Sequence, residues 1–348
     1  MTYKENYLRV VRFERPDYIP MSFCINDACY DAYPQEALFE LMETHPLLFP
    51  DFKKPALPYK PDYARVARKD EPYKDDFGCV WTTTCDGITG TVTGHPLADW
   101  EAFRTYRFPD PDHCTGIGPI DWQKVKERIA ATPESIHIGG LRHGHTFLQL
   151  CDLRGYENLI FDMMDEEPLL NELIAGLEQF NLSTVQHYLD CGVDVMPYAE
   201  DLGMQVGPML SPENFCRYIK PSYRRLMQPA KDKGLIVHMH SDGDIRLLAD
   251  DLVDSGVQIL NLQDLVNGID WIRDRFAGRI CIDLDIDRQN VTRFGTPEDI
   301  DRLIRQEVTS IGSRAGGLMM IFGLYPGTPL ENVKALMDSM ERYMGYYD

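Results

Sequence analysis

Three features of the sequence predict an α/β protein, namely a (β/α)8 TIM barrel with a long N-terminal elaboration after the first strand. Short apolar runs that end in polar residues alternate with longer amphipathic segments, the pattern of a parallel sheet covered by helices. Seven such runs can be counted with room for an eighth, which favours a closed barrel over an open doubly wound sheet. No run is followed by GxGxxG, the phosphate-binding turn of the open alternative. The chain has 348 residues and 44% apolar content, ample for one core and somewhat longer than the roughly 250 residues of a plain barrel. One domain spanning 1–348 is therefore expected.

The first strand falls in "DYIPMSFCI" (17–25). Residues 26–133 then break the rhythm, being rich in Pro, Asp, Tyr and Trp, and read as an elaboration with a small hairpin that roofs one end of the barrel. Strands are predicted next in "ESIHIGGL" (134–141), "DVMPYAED" (194–201) and "LIVHMHSDG" (235–243). "VQILNLQD" (257–264), "RICIDLDI" (279–286) and "GGLMMIFG" (316–323) complete the series. Helices lie between them. Ser211 caps a helix with Pro212 at its first position, Pro221 is expected to break or kink it, and Gly234 ends the unit. In "GDIRLLADDLVDSG", Ile245, Leu248 and Leu252 share a face, and Gly256 suits the C′ position. Thr296 and Thr328 each precede a proline as helix caps, and Glu331 gives the second a capping box.

A net charge of −20 repels phosphate backbones and anionic membranes, so nucleic acid and membrane are not expected partners. The charged start "MTYKENYLRVVRFERPD" is unlike a signal peptide, and no apolar run approaches a membrane span. Nine scattered cysteines without a CxxC pair suit reduced thiols and a cytoplasmic location.

In a barrel, chemistry sits at the C-terminal ends of strands. His238 and His240 are two apart and point to one side, with His240 nearer the mouth and Asp242 continuing the parity. His240 reads as a general acid or metal ligand, the alternative being a buried structural histidine. Glu200 and Asp201 have opposite parity, so only one of them faces the pocket. Asp264 and Asp283 end or line later strands, and Asp244 suits a helix cap. In "GGLRHGHTF", Arg142, His143 and His145 follow a strand and are candidate substrate contacts, as is the ring of Tyr198. So many acids at one mouth call for a cation, a proton or arginine partners.

"RPDYIPM", "LRGYENLIFDM", the long stretch "PENFCRYIKPSYRRLMQPAKDKGLIVHMHSDGD" and "GGLMMIFGLYPGTPLENVKAL" resemble the uroporphyrinogen decarboxylase superfamily, over nearly the whole chain. The resemblance implies a (β/α)8 barrel. The decarboxylases proper carry an arginine-rich segment of the type "RQAGRY" near the start, and here the place reads "SFCINDACYDAY". The chain is closer in kind to the corrinoid-dependent methyltransferase and O-demethylase branch. Thiol-methylating members of that branch hold zinc with His-x-Cys and a later Cys. His240 matches the histidine, Asp242 stands at the first cysteine, and "FGLYPGTP" offers no second one. The resemblance thus implies methyl transfer from a small-molecule donor, such as an aryl methyl ether, to a corrinoid carried by a partner protein. His240, Asp201 and Asp283 are the expected catalytic residues, and His143, His145, Tyr198 and Asp264 the expected substrate contacts. Zinc, if used, falls to His240, Glu200 and Asp242. A homodimer is the expected assembly. A carboxy-lyase acting on another substrate and a non-catalytic barrel that binds a ligand or a corrinoid protein are the alternatives.

Overall fold

The computed structural model describes residues 1–346. Two compact units make it up, each discontinuous in sequence. One holds 1–72, 82–91 and the chain from 263 onward; the other holds 73–81 and 92–262. In chain order the strands are β1 (Met21–Ile25), β2 (Tyr73–Lys74), β3 (Val80–Thr82), β4 (Thr91–Gly94), β5 (Val195–Ala199), β6 (Ile236–Ser241), β7 (Ile259–Gln263), β8 (Cys281–Asp285) and β9 (Leu318–Leu324).

The first unit carries β1, β9 and β8 as parallel neighbours in that order, with Phe23 opposite Phe322 and Leu284 opposite Met320. β9 reads as a nearly continuous apolar run because most of it is buried, as a parallel strand covered on both faces must be. The Phe23 and Phe322 rings meet at 5.2 Å between centroids. Helices Pro297–Ile311 and Leu330–Met344 pack against each other, burying Ile300, Leu303, Ile304, Leu336, Met337 and Met340.

The second unit carries β5, β6 and β7, also parallel, with Ala199 opposite His240 and His240 opposite Asn261. The long helix Pro168–Cys191 packs on Lys220–Asp232, which itself packs on β6. The small hairpin expected in the elaboration is present as β2 and β3, paired antiparallel with Tyr73 opposite Trp81. No helix among the described residues is long and apolar enough to cross a membrane.

Six of the seven expected barrel strands form. The segment 134–141 does not, and its glycines explain why. Gly140 has φ +144°, and a Cβ on Gly139 would lie 2.9 Å from the Tyr188 ring. The chain nevertheless tracks β5: Gly139 N donates to Val195 O, Leu141 N to Pro197 O and Gly144 N to Ala199 O. Pro221 does not break its helix. A π-helical turn over Phe215–Ile219 lets the chain re-enter at Lys220 with Pro221 in the first turn, where a missing N–H leaves nothing unsatisfied.

Caps divide in two. Ser211 accepts from Asn214 N at 3.1 Å, as expected. The full capping box is at Thr296 and Asp299, whereas Thr328 caps nothing: its helix begins after Pro329 with no side-chain cap, and its carbonyl takes the Tyr33 hydroxyl instead. Asp244 likewise caps no helix, since the next one starts at Ala249 and its carboxylate holds Arg246 and Gly207 N. Thr296→Ala should lower unfolding free energy by about 1 kcal/mol in urea denaturation, the usual loss for an N-cap hydroxyl.

Candidate active site

The second unit gathers a set of ionisable side chains at the C-terminal ends of β5 and β6 and on the glycine-rich segment beside β5. His240 occupies the next-to-last position of β6. Its Nδ1 makes a short hydrogen bond with Asn261 Oδ1 from β7, the residue directly opposite it in the ladder. With Nδ1 as the donor, Nε2 faces outward, 3.3 Å from Asp201 Oδ1 and 3.8 Å from Asp242 Oδ1. His143 Nε2 reaches the same Asp201 oxygen at 3.2 Å, and the two imidazole rings lie 5.6 Å apart. Asp201 Oδ1 also accepts the Asp242 backbone N–H at 3.1 Å.

Adjacent carboxylates here have opposite fates. Burial alone would raise Asp201, yet the hydrogen bonds and charges of His143 and His240 hold it far below the ordinary carboxylate range. Glu200 is fully buried; Oε1 accepts from Thr146 N and Leu148 N, and Oε2 takes a short bond from the Tyr223 hydroxyl. Burial outweighs those donors and pushes Glu200 up to about 7. Burial also opposes a charge on His240, but Asp201, Asp242 and Asn261 overcome it and raise the imidazole to about 9. His240 is therefore an imidazolium at neutral pH.

Two devices hold this geometry. Beneath His143, the nearly buried Arg142 donates to Asp152 Oδ2 at 3.1 Å, makes a short bond to Gln149 and lies 3.6 Å from Asp75. Asp75 in turn accepts the Trp81 indole N–H at 2.9 Å, so the loop is pinned by a buried ion-pair network. Beyond β5 and β6, Gly203 and Gly243 touch backbone to backbone. A Cβ on Gly243, whose φ is +82°, would sit 2.3 Å from the Gly203 carbonyl carbon. This contact, with Gly203 N donating to Asp242 O, fixes the spacing of the turns that carry Asp201 and Asp242.

Within the second unit the structure brings together His143, Asp201, His240 and Asp242, while His145, Tyr198 and Glu200 are buried in its core. His145 and Tyr198 are fully buried. Tyr198 donates to Leu226 O, and His145 bonds Thr146 Oγ1 through Nδ1. Burial first, then the charges of His143 and Arg142, push His145 down to about 3. Glu200, an expected metal ligand, is buried with three donors on its two oxygens and is not in the His143–Asp201–His240 group. Asp283 and Asp264 belong to the first unit. Asp283 sits in mid-strand opposite Met319, and Asp264 is buried, accepting the amides of Leu265 and Asp287. Asn261 was not anticipated. An amide between Leu260 and Leu262 in the apolar run "ILNL", at the register of His240, is the signal that marks it.

Comparison with known proteins gives a consistent set of relatives. The family described as "Uroporphyrinogen decarboxylase (URO-D)" matches residues 142–343. The methylcobamide:CoM methyltransferase MtaA of Methanosarcina barkeri is 21% identical over 252 residues, 68% of this chain and 70% of that protein. A uroporphyrinogen decarboxylase of Thermus thermophilus is 27% identical over 184 residues, 51% of this chain and 50% of its own. The chain thus spans about half the length of the decarboxylases it matches. Among solved structures, a methyltransferase from Methanosarcina mazei superposes with TM-score 0.63 at 18% identity, covering 99% of both chains, which shows a shared fold.

Two outcomes follow from the geometry. Gly243→Ala should destabilise the protein by about 2 kcal/mol or more, combining a strained φ with an overpacked backbone contact, as read from chemical denaturation. In chelator-treated protein the raised His240 adds stability that is fully present below its unfolded value of about 6.5. That stability is lost as pH rises through about 9. Ring-nitrogen NMR should find His240 titrating near the higher value, and in Asp201→Asn back toward the lower one.

Proposed function

Because the chain belongs to the uroporphyrinogen decarboxylase family, we propose that it is a methyltransferase of that family's corrinoid-dependent branch. It takes a methyl group from a small donor, an aryl methyl ether being the class that fits best. The observation that carries this reading is the His240 imidazolium, aimed by Asn261 and shared between Asp201 and Asp242. An ether oxygen is a poor leaving group until a proton or a cation meets it, and His240 Nε2 is a proton source already charged at neutral pH. The family's eight-stranded barrel is part of the reading.

A corrinoid on a partner protein would supply the nucleophile for the methyl carbon. The work of this chain is on the other side of the bond. As the carbon–oxygen bond breaks, its electron pair stays on oxygen, and the Nε2 proton of His240 passes to it. Asp201 keeps the imidazolium formed before each turnover, and Asn261 Oδ1 holds the ring from its far side, fixing which nitrogen donates. His143 shares the Asp201 oxygen and so limits where that carboxylate can move. An ion held by His143, Asp201 and His240 would serve the same oxygen as a Lewis acid.

The carboxy-lyase reading has one specific observation against it. A polycarboxylate substrate needs free cations, and Arg142, the arginine on the site loop, is spent on Asp75, Asp152 and Gln149.

Purified protein, given a Co(I) corrinoid protein and a panel of methoxylated aromatics, should demethylate at least one, with the corrinoid spectrum reporting methylation. His240→Gln should lower the rate by about a hundredfold or more, the scale of losing a general acid. No transfer from any donor, or turnover without the cobalt partner, would sink the proposal.

A further inference from the structure

We infer that Glu307 and Asp264 share one buried proton, and that this proton latches the helix Pro297–Ile311 onto the segment carrying Asp264, so that alkali releases the helix. Both residues belong to the first unit, and neither takes part in the proposed methyl transfer.

The helix is amphipathic, with Ile300, Leu303, Ile304, Val308 and Ile311 inward, and Glu307 falls on the same stripe. It is fully buried, and among the described residues neither of its carboxyl oxygens has a hydrogen-bond partner. A carboxylate in that place would be a desolvated charge with nothing to offset it. What its carboxyl meets is another acid, Asp264, itself buried. The two Asp264 oxygens each accept one backbone N–H, Oδ1 from Leu265 and Oδ2 from Asp287 at 2.9 Å. Each oxygen keeps a second lone pair. Two ionised carboxyls would thus face each other as acceptors only, whereas one proton between them makes a donor and an acceptor. The amides favour the anion on Asp264, which leaves the proton on Glu307.

The charges around the pair do not relieve it. Burial first, then Asp264 and Asp287, hold the Glu307 carboxyl well above the ordinary range. The Asp287 carboxylate accepts the amides of Asn290 and Thr292. Residues three and four away from Glu307 on its own helix are Leu303, Ile304, Ser310 and Ile311, none of them charged. The helix packs on Leu330–Met344, Ile269–Phe276 and Val291–Phe294. There Lys334 pairs with Asp338, Arg342 with Asp301, and Arg273 with Asp270 and Asp274. Arg275, Arg293 and Glu331 are exposed, and Glu341 accepts the Leu47 N–H. Loss of the proton therefore leaves two adjacent buried anions, and water reaches them only if the helix moves off. The stability that the proton contributes is complete below the ordinary carboxyl value of about 4.3 and is lost as pH rises through the raised one.

The test is urea unfolding of the whole chain across neutral and alkaline pH, wild type beside Glu307→Gln, whose amide donates to Asp264 without titrating. The folding constant of the wild type relative to the variant should fall about tenfold per pH unit until the proton is gone. Parallel pH curves overturn the inference. Glu307→Leu removes the second carboxyl and should flatten the curve likewise, so either variant serves in each comparison. In infrared spectra at neutral pH, wild type minus variant should show the carbonyl stretch of a protonated acid. A carboxylate stretch in its place overturns the shared proton. Amide hydrogen exchange over Pro297–Ile311, corrected for its intrinsic base dependence, should quicken with pH in the wild type and not in the variant. Equal rates in both overturn the release of the helix.

Discussion

One carboxylate oxygen, Asp201 Oδ1, receives two imidazole nitrogens and a backbone amide, and the rest of the site is arranged around it. Its ionised state is what makes His240 an imidazolium, and its position is set where β5 ends. The neighbouring Glu200 shows how much environment decides. One residue earlier in the chain, with the same functional group, it turns inward, is buried among Tyr223 and the amides of Thr146 and Leu148, and is pushed up to about 7. Two adjacent acids have been driven in opposite directions. Such a split separates a structural group from a chemical one.

The fold was largely legible because parallel strands covered on both faces leave a simple trace, a short apolar run ending in polar residues. Six of the seven runs became strands where expected. The seventh, 134–141, failed for a local reason that the sequence displays but does not weigh: Gly139 must lie flat against Tyr188, and Gly140 adopts a positive φ. Its function as an element survives, since it still hydrogen-bonds along β5 and delivers His143. Capping was legible at Ser211 and Thr296 and misplaced at Thr328, since the helix starts one residue later, after Pro329, with no side-chain cap.

The site was legible in part. Strand parity put His240 and one of Glu200 and Asp201 toward the mouth, but parity alone does not say which. That depends on Tyr223 and the loop amides, which lie elsewhere in the chain. His145 and Tyr198 look like ligand contacts in a string of polar and aromatic residues, yet both side chains are buried, Tyr198 bonding Leu226 O and His145 bonding Thr146 through Nδ1. Asn261 was hidden by its apolar neighbours. Arg142 looked available to substrate until the fold brought Asp75 and Asp152 to it.

One requirement joins the parts of the cluster. A further carboxylate brought by a substrate would meet the ionised Asp201 already held there by His143 and His240, whereas a neutral ether would not be repelled. Removing charges from water is costly unless they are paired, and the Asp201–His240 pair supplies that pairing where a docking partner covers it. The proposed transfer then asks one thing of the site: a positive centre at His240 Nε2, facing the oxygen that must leave.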